Sequence, residues 1–112
     1  MATAELAVVL PAVLFVLAVA LSALGLAIDQ VRCVDAARAG ARAAARGDSA
    51  GAVAAVASRG APAGASVATG TSGQLVTVTV AGPAARLGGL VPVSVRPSAS
   101  ATAQRESPEG LP

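Results

Sequence analysis

The side chains able to do chemistry are few, and their spacing argues against catalysis. The chain contains no His, Tyr, Trp or Lys, and its single cysteine, Cys33, has no partner for an internal disulfide. Without His the commonest general base and zinc ligand is missing. Without Tyr or Trp the usual base-stacking platforms are missing as well. Asp29, Asp35 and Asp48 are spaced along a helical surface rather than gathered, and the scattered Ser and Thr have no base beside them. Gly60 to Gly64 lacks the Lys and the following helix that a phosphate loop needs. These residues predict no enzyme, no cofactor and no metal site. Between residues 29 and 48 four Arg oppose three Asp, an excess too small for a phosphate-binding stripe, so nucleic acid is not an expected partner.

One acid is placed differently from the rest. Glu5 stands just before Leu6 to Ile28, a run of 23 uncharged and almost wholly apolar residues that Asp29 closes. At about 1.5 Å per helical residue the run reaches about 34 Å, enough to cross a hydrocarbon layer about 30 Å thick. A cleaved secretory signal would need a basic start and an apolar stretch of about 7–15 residues, and this segment has neither. A simple signal-anchor fits any run of this length. A third reading uses Glu5 itself. A carboxylate in hydrocarbon costs about 2.5 kcal/mol or more at mid-bilayer and less at the edge. A cation in the same layer would offset that cost, and the free amine of Met1 has the right sign. The alternative is that Glu5 lies solvated among headgroups and stabilises the helix N-terminus through the macrodipole.

These side chains need a scaffold, and the periodicities supply one. Pro11, inside the apolar run, cannot donate to the carbonyl of Ala7, which predicts a kink there. From Gln30 to Arg46 the composition is mostly Ala and Arg without Pro, so the helix is expected to continue beyond the membrane. Arg38, Arg42 and Arg46 fall with Asp35 on one side of it. Cys33, Val34, Ala37, Gly40, Ala41, Ala44 and Ala45 fall on the other. Cys33, Ala37, Gly40 and Ala44 thus form a small-residue face for close packing, and the spacings Asp29/Arg32 and Asp35/Arg38 allow ion pairs. Juxtamembrane acylation of Cys33 is conceivable, and packing on the contact face is the favoured role.

Gly47-Asp48-Ser49 should break this helix and cap a second, short one over Ala50 to Ser58, which Gly60-Ala61-Pro62 ends. After Pro62 the period becomes two. Gln74 to Val80 alternates cleanly, with Val76, Val78 and Val80 on one face. Ala65 to Thr69 is expected as its partner across a Gly70-Thr71-Ser72-Gly73 turn, and Gly82 to Gly89 as a loop. Val91, Val93 and Val95 suggest a third strand, which Ser98 to Thr102 extends past Pro97. The expected fold class is α+β: a long N-terminal transmembrane helix continuing into a soluble helix, a short second helix, and a small three-stranded antiparallel sheet. The expected division is 1–28 span, 29–46 helix extension, 47–104 small extracytoplasmic α+β domain and 105–112 disordered tail. With Phe15 as the one aromatic residue, and that in the span, the domain core must come from Val, Leu and Ala. Such a unit is expected to be marginal alone and to lean on the long helix or on neighbours.

The segment Thr3-Ala4-Glu5-Leu6-Ala7, then Pro11, then Val31-Arg32-Cys33-Val34-Asp35-Ala36-Ala37-Arg38-Ala39-Gly40-Ala41-Arg42 resembles the TadE-like minor pilins of tight-adherence (Flp) type IV pilus systems. The resemblance covers roughly residues 1–60. Leu6 departs from it, standing where many Flp-type subunits carry an aromatic residue. The resemblance implies a pilin-like fold and a structural role in pilus assembly or a related secretion system. It implies other pilin or pseudopilin subunits, the assembly machinery and the lipid bilayer as partners. It further implies a prepilin peptidase acting after a glycine if a leader precedes Met1. Met1 and Glu5 become assembly residues, the carboxylate meeting the terminal amine of a neighbouring subunit. The chain would lie in the cytoplasmic membrane with its N-terminus inside. The arginines after the span favour the reverse by the positive-inside rule, and a basic leader would restore the first orientation. A function of another class is a permanently anchored small module that recruits a soluble partner through its sheet edge.

Overall fold

The computed structural model of the protein describes residues 2–86 and 94–105. Helix α1 runs unbroken over Ala2–Ala45, 44 residues, or about 66 Å of the molecule's 82 Å length. It ends where Gly47, at φ 86°, turns the chain in a conformation that favours glycine. Gly47 N–H donates to the carbonyl of Ala44 and Asp48 N–H to that of Ala43, satisfying two carbonyls of the last turn. Ser49 then caps helix α2, Ala50–Gly60, its hydroxyl accepting from the amide of Ala52 at 3.2 Å. Helix α2 thus runs two residues past the expected Ser58. It folds back along α1, which brings Ala57 beside Gly40 and Gly60 beside Ala36.

Strands β1 (Ser66–Ser72), β2 (Leu75–Ala81) and β5 (Ser98–Gln104) make a three-stranded antiparallel sheet in the order β1-β2-β5. Two strand expectations require correction. The turn between β1 and β2 is the pair Gly73-Gln74, with Gly73 at φ 61°, and Gly70 to Ser72 belong to β1. Turn-forming residue types had masked a strand whose ladder with β2 holds them extended. The third strand of the sheet is Ser98–Gln104, so the segment expected as an extension past Pro97 is a strand in its own right and runs two residues beyond Thr102. Val91 and Val93 lie outside the described residues, and Val95 belongs to a separate two-stranded ladder, β3 (Ala85–Arg86) with β4 (Ser94–Val95). The expected loop over Gly82 to Gly89 is therefore part strand. Met1 and residues 106–112, including most of the expected tail, also lie outside the described residues.

The sheet packs on α1 through Val76, Val78 and Val80, all buried, as the alternation requires. Opposite them on β5 stand Ala103, Ala101 and Ala99, and α2 covers β1. The outer face carries hydroxyls instead: Thr77 meets Thr102 and Thr79 meets Ser100, each pair at 3.0 Å. The result is a two-layer α+β head whose spine is the last third of α1. The largest fully buried side chains are Val53, Val78, Val80 and Cys33, so the core depends on close backbone approach rather than on bulky side chains.

Candidate functional site

Two features of α1 carry the functional argument: its bare apolar length and the joint at which the head begins. The first buried residue of the helix is Cys33. Between Leu6 and Val31 no side chain is buried. The large apolar ones are exposed, Leu14 at 63% and Phe15 at 43%, except Val19 and Leu26, which are half-buried. A core helix of a water-soluble domain would hide such residues. Here one helix is long and apolar enough to cross a membrane, and its most apolar window is wholly unburied.

Glu5 lies in the exposed first turn of this rod. Met1 lies outside the described residues, so the expected Met1–Glu5 assembly pair has no geometry here. Helix α1 continues through Pro11, the expected kink site, as a single element. Ser22 donates to the carbonyl of Ala18 at 2.8 Å, keeping its hydroxyl satisfied within the helix.

The packing face contains all four residues picked for it. Cys33, Ala37, Gly40 and Ala44 are buried, together with Ala36, Ala41 and Ala43. Val34 and Ala45 are only half-buried, so the face is rotated slightly toward Ala36 and Ala43. The closest approach is at Gly40, where a Cβ would stand 3.0 Å from Val78 Cγ1 and 3.3 Å from Ala57 Cβ. Gly40 therefore sets the distance between helix and sheet. Asp35, Arg38, Arg42 and Arg46 face outward. The expected Asp29/Arg32 and Asp35/Arg38 ion pairs do not form. The ion pair among the described residues is Arg46–Asp48 at 3.2 Å, across the turn that ends α1. Exposed pairs gain too little to hold two long side chains in one geometry.

The joint was missed at the sequence level. Gln30 reaches Ser98 with both ends of its amide: Nε2 donates to the carbonyl of Ser98 at 2.7 Å, and Oε1 accepts from its N–H at 3.0 Å. The side chain thus acts as one rung of a ladder on the outer edge of β5. One helical turn on, Cys33 Sγ donates to the carbonyl of Pro97 at 3.9 Å, and Gly82 N–H donates to the same oxygen at 2.8 Å. Burial pushes the Cys33 thiol above its ordinary value; an amide hydrogen bond from Gly82 opposes the shift, and the nearby Asp29 charge adds to it. A buried, protonated thiol of this kind is a poor acylation target. The one sequence signal for this joint was an uncharged polar residue, Gln30, three positions before Cys33 on the packing face.

Glu5, Asp29, Asp35 and Asp48 are distributed along and beyond α1 rather than converging, and no group of three or more metal-ligating side chains occurs among the described residues. The described residues form a rod, a joint and a head. Compared with family models, with curated proteins and with solved structures, the chain matches none.

Proposed function

We propose that this chain is a membrane-anchored structural subunit of the pilin or pseudopilin type, acting in assembly of a tight-adherence pilus or related secretion system. The observation that carries the reading is the division of one continuous helix, apolar and bare up to Val31 and the spine of an α+β head from Cys33 onward. A subunit that is stored in a bilayer and then packed into a filament needs such a rod. Its apolar surface can be covered by lipid in one state and by neighbouring rods in the other, with no change in the head. Glu5 is the one charge on that rod before Asp29, and its position in the first turn suits pairing with a neighbour's terminal amine. The resemblance of residues 1–60 to TadE-like minor pilins supports the same reading. In this arrangement the N-terminus faces the cytoplasm and the head lies outside.

N-terminal sequencing and intact mass of the protein extracted from its native membrane test the proposal. A terminus created by cleavage at Met1, together with cross-linking to other subunits that Glu5→Gln abolishes, is the expected result. A formylated Met1 with no longer precursor would contradict it.

The alternative, a permanently anchored recruiting module, draws on one observation. Beyond Ser98 the alternation of an antiparallel ladder leaves the outward N–H and C=O groups of Ser100 and Thr102 without a neighbouring strand among the described residues. An unprocessed terminus together with capture of a soluble partner that a Thr102→Pro substitution prevents would favour that alternative.

A further inference from the structure

The head does more than stand above the span: its lower end is built to reach the membrane surface. This inference rests on the reading of Leu6 to Ile28 as a membrane span. The ladder between β2 and β5 ends at Ala81 opposite Ser98, but the pairing does not stop there. Gly82 bonds to Pro97, and Ala85 then faces Val95 and Arg86 faces Ser94. The short β3–β4 ladder is thus a continuation of the β2–β5 pair, with one extra residue on the β3 side.

Direction and height follow from the joint. Ser98 is held by Gln30, two residues past Ile28, or about 3 Å above the end of the apolar run. Further up, Gly40 meets Val78, three residues into the ladder from Ala81. The sheet therefore climbs away from the membrane along α1, and the β3–β4 ladder runs the opposite way. Val95 lies three residues before Ser98, up to about 10 Å from it along the strand. With Ser98 held about 3 Å above the apolar run, the end of β4 is within reach of the membrane surface.

We infer that β4 and Arg96 lie against the bilayer surface, with Val95 in the interfacial layer and the guanidinium groups of Arg32 and Arg96 engaging lipid phosphates. The side chains suit that place. Ser94, Val95, Arg96 and Arg32 are all exposed, Val95 at 38%. Asp29, half-buried at the same level, is the one acid there among the described residues, and two arginines outweigh it. A phosphate surface carries the complementary charge, and the covalent span holds it at this height. The contact fixes the tilt of the head relative to the membrane, so that leaving the bilayer requires both withdrawal of the rod and release of this edge.

Site-directed spin labelling in lipid nanodiscs tests the inference. Single cysteines are placed by Ser94→Cys, by Ser72→Cys at the far end of the sheet, and by Phe15→Cys within the span, all in a Cys33→Ala background. The Ser94 label should be relaxed by bilayer-dissolved oxygen more than by an aqueous nickel chelate when phosphatidylglycerol is present. The Ser72 label should show the opposite preference. Arg96→Gln or Arg32→Gln should each weaken the contact about fivefold, from about 1 kcal/mol per basic residue at an anionic surface. A Ser94 label as water-exposed as the Ser72 label, with Phe15 deep in hydrocarbon, would overturn the inference and leave the span intact. A water-exposed Phe15 label would overturn both. Should the cysteine variants fold poorly, amide exchange on the unsubstituted chain replaces them. Slower exchange at Val95 and Arg96 in anionic than in neutral nanodiscs is expected, and equal rates would overturn the inference.

Discussion

The two halves of α1 invert the usual rule for apolar residues. Up to Val31 none of its large side chains is buried, and Leu6, Leu10, Leu14, Phe15 and Leu24 among them are exposed. From Cys33 onward, where the helix is truly buried, its inward positions are Cys, Ala and Gly. In water alone this is the wrong way round, since each exposed Leu or Phe forgoes about 1.5–3 kcal/mol of burial. With a bilayer as the solvent of the first half, both halves make sense. Lipid rewards bulk without demanding a fitted partner, whereas a sheet and a second helix can only approach the second half if its side chains are small. On the proposed reading one helix obeys two solvents, and the boundary falls between Ile28 and Cys33, where Gln30 joins head to rod.

If that contrast is right, each half should fail independently. The largest effect belongs to the rod. Leu14→Arg should cost about 3 kcal/mol of membrane insertion, seen as loss of the chain from the membrane fraction. The head's thermal unfolding should be unchanged by it. Gly40→Val should do the reverse. Its added bulk enters a gap where even a Cβ is tight against Val78 and Ala57, at a cost of about 1–3 kcal/mol. In detergent or nanodiscs the head's Tm should fall by roughly 4–8 °C per kcal/mol lost, with insertion intact. Gly40→Ala should produce a smaller change.

A substitution at the boundary sharpens the comparison. Gln30→Ala removes both hydrogen bonds to Ser98 and should cost about 1–2 kcal/mol. Amide exchange at Ser98 should rise well before exchange at Val78 does. The smallest effect is that of Cys33. Its folded thiol titrates above the unfolded one, so the unfolded chain loses its proton first as pH rises. The stability that the thiol contributes is complete below the ordinary thiol range and declines as pH climbs through it toward the raised folded value. Unfolding measured across that range should show a downward slope that Cys33→Ala flattens.

Much of this was legible from particular residues. The span followed from uninterrupted apolar length, and β2 from the alternation Val76-Thr77-Val78-Thr79-Val80, because both are dictated by a single periodic environment. The third strand was harder for a physical reason. Ser98 to Gln104 shows its core with Ala99, Ala101 and Ala103, residues small enough to lie beneath α1 and too weakly apolar to announce a strand. By sequence it is therefore legible only as an extension of the Val91-Val93-Val95 alternation and not as a strand of its own. Gly70 to Ser72 has turn composition but lies extended, because pairing with Thr77, Val76 and Leu75 outweighs local preference. The joint depends on an amide meeting a backbone 68 residues away, which no local pattern encodes.

The central claim, that the two halves of α1 are covered by different things, is tested most directly by cysteine accessibility along the helix in intact membranes. Single cysteines at Leu6 to Ile28 and at the buried positions Ala36, Ala37, Ala41 and Ala44 should both resist a membrane-impermeant maleimide, while cysteines at the exposed Arg38 and Arg42 positions react. Urea should then expose the buried head set alone, and detergent should be needed to expose the first. Labelling of the Leu6 to Ile28 set in untreated membranes, or its release by urea together with the second set, would contradict the account.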